Sequence, residues 1–331
     1  MKWSGSLNVS GLRRFISDKI GGRSDRSPPP EARPEDEPPP VSAADRYDAR
    51  FLLEGAHFAD LLHRADAALP TTPAGEIPRL FDAVPLDVFA LLALHRPPEY
   101  PNLRDWLPAM PSEGDQIGSV GSSGQQAMIE AAAFVKTLIH FVRQAGLEPR
   151  DIHILDYGIF WARISRLLYK FVSTEQLHGV DAWETSLKYA ADLGYRGSLS
   201  LVGQVPELTG DSQDIDVAFA VSIFTHISEP AINAVGAAVH ARLKPGGLFV
   251  FTVRPRQFIT SFIHDESLEQ EFDEKGVAHK PEAWAKDYDA PYGTTIVSPS
   301  YFSNKWNNFK ILGVELNAID PYQLIICAQK L

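Results

Sequence analysis

The chain is poor in cysteine, in long apolar runs and in positive charge, and each shortage narrows what it can be. With Cys327 the one cysteine in 331 residues, neither an intramolecular disulfide nor a multi-cysteine zinc site can be built, which suits a reducing cytoplasm. No apolar run approaches the roughly 20 residues needed to span a bilayer, and the N-terminus lacks the apolar block and small-residue cleavage site of a signal peptide. A cytoplasmic location is therefore expected. Lys and Arg total 31 against 42 Asp and Glu, a net charge of −11, which argues against a phosphate-tracking surface and against nucleic acid as a partner. His264-Asp265 and His279-Lys280 are too sparse and too mixed to argue for a metal site, and no internal repeat is present.

What is there falls into three stretches. Residues 1–43 form an arm in whose first 26 residues Lys2, Arg13, Arg14, Lys19, Arg23 and Arg26 outnumber Asp18 and Asp25, and Leu12, Phe15, Ile16 and Ile20 would share a helical face. Weak membrane contact is compatible with that pattern, but Gly21-Gly22 ends it, so a frayed terminus is expected. The following "SPPPEARPEDEPPP" combines proline with acid and reads as a disordered linker. Residues 44–125 carry apolar positions at helical spacing, broken by Pro70 and Pro97, and end in the glycine-rich "GSVGSSG": a helical cap. From 126 to 331, a helix of about 20 residues, N-capped by Ser122 or Ser123 and ending near Gly146, precedes alternating strand-like and helical runs. That alternation predicts a doubly wound, mostly parallel α/β sheet. "NFKILGVEL" and "YQLIICAQK", separated by only "NAIDP", should pair antiparallel at its edge.

In such a sheet the ligand sits beyond the C-terminal ends of the strands. After the first strand stands "DYGIFWAR", where Gly158 permits a tight turn and a helix expected from Ala162 presents its positive end. After the second comes Asp181, 25 residues past Asp156 and placed to accept from both hydroxyls of a ribose. Gln204 follows the third strand, with an amide suited to an adenine edge. Ser222, Thr225 and His226 in "SIFTHIS" follow the fourth, and "LKPGG" leads into the fifth.

Taken in order, these motifs resemble the class I S-adenosylmethionine-dependent methyltransferases: "LDxGxGxGR", "GxD", "D…SxFTH" and "LKPGGxFxxT" over residues 150–254. The resemblance implies a Rossmann-like, seven-stranded sheet with an antiparallel last strand, and S-adenosylmethionine as cofactor. It implies that Gly158 passes the methionine moiety, Asp156 anchors its amino group and Asp181 holds the ribose. Gln204 would face the adenine, and Ser222 with Phe224 would floor the site near the methyl. His226 is the candidate base, its alternative role being a loop hydrogen bond. Residues 254–305, with His264, His279, Trp284, Tyr288 and Tyr292, would form the acceptor pocket or its lid.

Two positions depart from the family pattern: Phe160 and Ala162 stand where the second and third glycines belong. The phenyl ring either fills part of the pocket or packs beneath the following helix. The expected function is methyl transfer to a small-molecule or carbohydrate-type acceptor. The alternative is a non-catalytic module with the same fold, while an NAD-dependent enzyme is disfavoured by "SIFTH", "LKPGG" and the terminal strand pair. The sequence does not indicate the oligomeric state.

Overall fold

In the computed structural model, which describes residues 56–203, 214–282, 291–316 and 322–331, the β-rich runs form one sheet. Its parallel strands are β1 (Ile154–Tyr157), β2 (Leu177–Asp181), β3 (Ser198–Leu201), β4 (Ile215–Ala220) and β5 (Leu243–Val253). A separate antiparallel hairpin, β6 (Val277–Pro281) and β7 (Gly293–Val297), follows. β8 (Phe309–Leu316) and β9 (Leu324–Lys330) then complete a seven-stranded sheet of order β3-β2-β1-β4-β5-β9-β8, in which β9 runs antiparallel to both neighbours. This is the Rossmann-like architecture expected of class I methyltransferases. All four residues of β1 are buried, because helices cover both faces of the central strands. The chain leaves β1 toward β2 and β3 and returns to β4 on β1's other side, so a crevice opens between β1 and β4 at their C-terminal ends.

Before the sheet lie helices α1 (Ala56–Ala68), α2 (Leu86–His95), α3 (Pro101–Trp106), α4 (Glu113–Val120) and α5 (Gly124–Gln144). Helix α5 buries Met128, Ala131, Val135, Leu138 and Val142, spaced at three to four residues, and meets the sheet where Phe134 lies 5.8 Å from Phe219 of β4. After the sheet strands come α6 (Ser165–Leu168), α7 (Glu184–Asp192), α8 (Glu229–Arg242), α9 (Glu266–Lys275) and α10 (Pro299–Lys305). Among the described residues no helix is long and apolar enough to cross a membrane, and no group of three His, Cys, Asp or Glu is placed to hold a metal ion.

Local expectations differ from the structure in four places. Half of "GSVGSSG" is helical, since Ser112 caps α4 by accepting the Asp115 N–H at 3.1 Å and the helix runs to Val120. Ser123 does stand at the α5 N-cap, but its side chain makes no capping bond; Ser122 instead donates to Glu130. The helix expected from Ala162 begins only at Ser165 and is four residues long, because Ala162 has φ +57°, which no α-helix accommodates. Pro78 turns residues 74–81 into a tight 3₁₀ segment. The N-terminal arm and Gln204, Trp284 and Tyr288 lie outside the described residues.

One buried charge joins the cap to the sheet. The Arg166 guanidinium, fully buried, donates to the carbonyls of Pro108 and Ala109 in the cap and of Trp161 and Ala162 in the loop after β1, and its Cζ lies 4.9 Å from the Trp161 ring. Burial lowers its pKa to about 10, still a cation at neutral pH. Replacing it strands several carbonyls. Arg166→Ala is expected to lose about 3 kcal/mol of stability, read as a lower urea midpoint; a loss under about 0.5 kcal/mol would show the contact to be incidental.

Candidate active site

The loop after β1 is shaped as if glycines occupied it. Gly158, Phe160 and Ala162 all lie at positive φ, +82°, +43° and +57°. For the two non-glycine residues this conformation costs on the order of 1–2 kcal/mol each. Four hydrogen bonds hold the loop there. Gly158 and Ile159 both donate to the Val180 carbonyl, at 2.8 and 3.1 Å, the Phe160 N–H donates to Asp181 Oδ2 at 3.1 Å, and Trp161 Nε1 donates to Ser119 Oγ at 3.1 Å.

Beyond the loop lies a cavity of about 260 Å³. Asp156, Gly158, Asp181, Ser222 and His226 all line it, so five of the seven residues expected at the site converge. Phe224 does not. Its ring is fully buried in the core among Phe249, Phe251, Phe302 and Trp306, because the side chain after the left-handed Ser222 (φ +58°) and Ile223 turns back under the sheet. The cavity face expected of Phe224 is taken by Ile223, whose Cδ1 lies 2.2 Å from where a Cβ on Gly158 would stand. Only glycine fits beneath it.

Phe160 takes neither of its two anticipated extremes. Its half-buried ring forms a wall of the cavity and leans on Tyr189 of α7, with centroids 5.7 Å apart. Packing beneath α6 is thereby corrected: from its left-handed backbone position the ring reaches Tyr189 of α7.

Both acids are buried, and among the described residues neither forms an ion pair. Asp156 accepts the Ser165 hydroxyl at 2.6 Å, yet burial, with the charge of Asp181 adding to it, raises its pKa to about 7. Asp181 accepts the N–H groups of Trp183 at 3.0 Å and Phe160, with the Ser186 hydroxyl and Ala182 N–H also bonding to it. Burial outweighs these bonds and raises its pKa to about 6. Arg163, also in the wall, is paired with Glu130 at 3.2 Å.

Across the cavity, His226 Nδ1 lies 3.1 Å from the Gly293 carbonyl, which fixes the proton on Nδ1 and leaves Nε2 as an acceptor. The ring stacks on Tyr292 at 5.1 Å and 3°, and burial, with the Arg254 charge nearby, lowers its pKa to about 3. It is neutral in the working range. Tyr292 comes from β7's approach, paired to Ile227 by an isolated bridge, so residues 254–305 contribute directly to the cavity wall.

Residues 155–251 match the family model described as a methyltransferase domain. Over that stretch the chain is similar to methyltransferases. Solved structures similar to it include a SAM-dependent methyltransferase from Methanosarcina mazei (17% identity, TM-score 0.43, covering 59% of this chain and 97% of that one). Magnesium protoporphyrin IX methyltransferase from Synechocystis PCC 6803 with bound SAH is 12% identical (TM-score 0.44, 66% and 94% covered). The 1,6-didemethyltoxoflavin-N1-methyltransferase of Burkholderia thailandensis is 17% identical (TM-score 0.43, 60% and 79% covered). No curated protein matches the chain. In the loop after β1 the sequence shows Phe160 and Ala162 but not what holds them: Trp161, Ser119, Arg166 and Tyr189 were not anticipated, since their partners are 5 to 74 residues away.

The raised acids make apo stability pH-dependent. A folded pKa above the unfolded 3.8 means that the stabilising contribution is complete below pH 3.8 and lost as pH rises through about 7 for Asp156. Asp156→Asn keeps the Ser165 bond, so it should raise the melting temperature at pH 8 and flatten its fall between pH 4 and 7, by about 2–4 °C per kcal/mol recovered. A lower melting temperature at pH 8 would mean the carboxylate is favourably solvated.

Proposed function

We propose that the chain transfers a methyl group from S-adenosylmethionine to an uncharged small-molecule acceptor, carbohydrate-type molecules included. The observation that carries this is the pair of buried carboxylates, Asp156 and Asp181, lining a cavity at the β1–β4 crevice with no cation paired to them among the described residues. A ligand bearing a sulfonium and an ammonium group supplies the missing positive charge, so the donor set fits this cofactor. S-adenosylmethionine brings an electrophilic methyl on a positively charged sulfur.

The protein's part is placement. Asp156 would hold the amino group and Gly158 the methionine chain. The ribose would lie on Asp181, with a hydroxyl taking the place of the rotatable Ser186 hydroxyl. Gln204 is retained as the adenine contact. Ser222 lies at the floor, its hydroxyl bonded to the Gln323 amide. On the other side Ile223, Ile227, Pro291 and Tyr292 form an apolar wall that suits a neutral acceptor and excludes water. His226 Nε2 is the acceptor for its O–H or N–H. With a pKa near 3 the imidazole orients that nucleophile and takes no proton from it before the methyl moves. The cytoplasm is the proposed location.

Ile223 over Gly158 and the Phe160 wall favour the rival, a binding module of the same fold that takes no cofactor. Calorimetric titration of the full chain separates the two. Micromolar binding of S-adenosylmethionine is expected, weakened by about 1.5–3 kcal/mol in Asp181→Ala. Because only ionised Asp156 attracts the cation, affinity should be about tenfold lower at pH 6 than at pH 8. No heat at either pH would put the binding module first.

A further inference from the structure

Phe160 creates a problem that a glycine would not: its ring hangs from a left-handed backbone position in the lining of the cavity and needs somewhere to go. The place it occupies is built by a second residue. Tyr189, half-buried on α7, lies under the phenyl ring at 5.7 Å with a 32° tilt. Its own hydroxyl donates to Asp115 Oδ2 at 2.5 Å, across 74 residues of sequence. Asp115 sits in the first turn of α4, whose start is fixed by the Ser112 cap, and the other end of the same helix presents Ser119 and Val120 to the cavity.

Trp161, the next residue of the loop, is tied to that far end through Ser119. Both aromatic side chains of the loop, Phe160 at a glycine position and Trp161 beside it, are thus fastened to α4, Trp161 directly and Phe160 through Tyr189. A loop of glycines would need neither fastening.

Resting on the methyltransferase reading, we propose that Tyr189, held by Asp115, is a positioning residue that keeps the Phe160 ring on the cavity wall and so keeps the cofactor pocket open. Without the Tyr189 ring, rotation about the Phe160 Cα–Cβ bond brings the phenyl group over the space between Gly158 and Asp181. The acid–tyrosine bond matters because it fixes the far end of the support; a tyrosine free at its hydroxyl could follow the phenyl ring inward.

Calorimetric titration of the full chain with S-adenosylmethionine tests this in wild type, Tyr189→Ala, Tyr189→Phe, Phe160→Gly and the Phe160→Gly/Tyr189→Ala double variant. Tyr189→Ala should bind about tenfold more weakly, as a ring that closes the site nine-tenths of the time requires. Tyr189→Phe, which keeps the ring and loses the bond to Asp115, should fall between the two and serves in its place if the alanine variant does not fold. The decisive result is rescue: the double variant should bind as tightly as Phe160→Gly. Unchanged binding in Tyr189→Ala and Tyr189→Phe would overturn the proposal. So would a double variant as weak as Tyr189→Ala, which would show Tyr189 acting on the cofactor without Phe160. If wild type and Phe160→Gly both give no heat, the methyltransferase reading has failed and this proposal with it.

Discussion

A guanidinium buried with no carboxylate partner among the described residues is costly to place, and Arg166 is placed where the rest of the site needs it. It gathers carbonyls from the cap at Pro108 and Ala109 and from the loop at Trp161 and Ala162, so cap and loop cannot move apart without exposing a buried charge to unmet bonds. That constraint accounts for a loop that keeps the backbone path of a glycine run while carrying Phe160 and Ala162. The strain of two left-handed non-glycine residues is offset by bonds made at fixed distances on either side of them.

The fixed loop in turn sets the electrostatics. Gly158 and Ile159 bond to β2 through Val180, and Phe160 bonds to Asp181, so the C-terminal ends of β1 and β2 are held side by side with their acids facing one cavity. Burial raises the pKa of both acids, and at Asp156 the charge of Asp181 adds to it, so that Asp156 is brought to about 7. Opposite them the neutral His226, stacked on Tyr292, offers an acceptor nitrogen and no charge. The cavity is polarised, with two acids on one side and a neutral imidazole on the other.

The fold was legible because it rests on local patterns. Strand and helix alternate at a spacing that leaves few topologies, and the five-residue link between the last two runs allowed only an antiparallel pair. That Asp156, Gly158, Asp181, Ser222 and His226 share one cavity was legible for the same reason, each standing at or just past the C-terminal end of a strand. Phe224 was misjudged because the left-handed turn at Ser222 shifts which side chain faces the cavity, a reversal that no periodicity shows. The helix expected from Ala162 failed on the same kind of ground. Tyr189, Ser119 and Arg166 were invisible because their importance lies in partners tens of residues away, and nothing about a tyrosine in "ETSLKYAADLG" announces Asp115.

The central claim, that the paired acids await a cationic ligand, is tested most directly by counting protons. Titrating the full chain with S-adenosylmethionine at pH 6.5 in buffers of different ionisation enthalpy gives the net proton exchange on binding. Net release is predicted, because the cation drives the protonated share of Asp156 and Asp181 to ionise. Binding with no exchange, or with proton uptake, would contradict the account and place the ligand away from these two carboxylates.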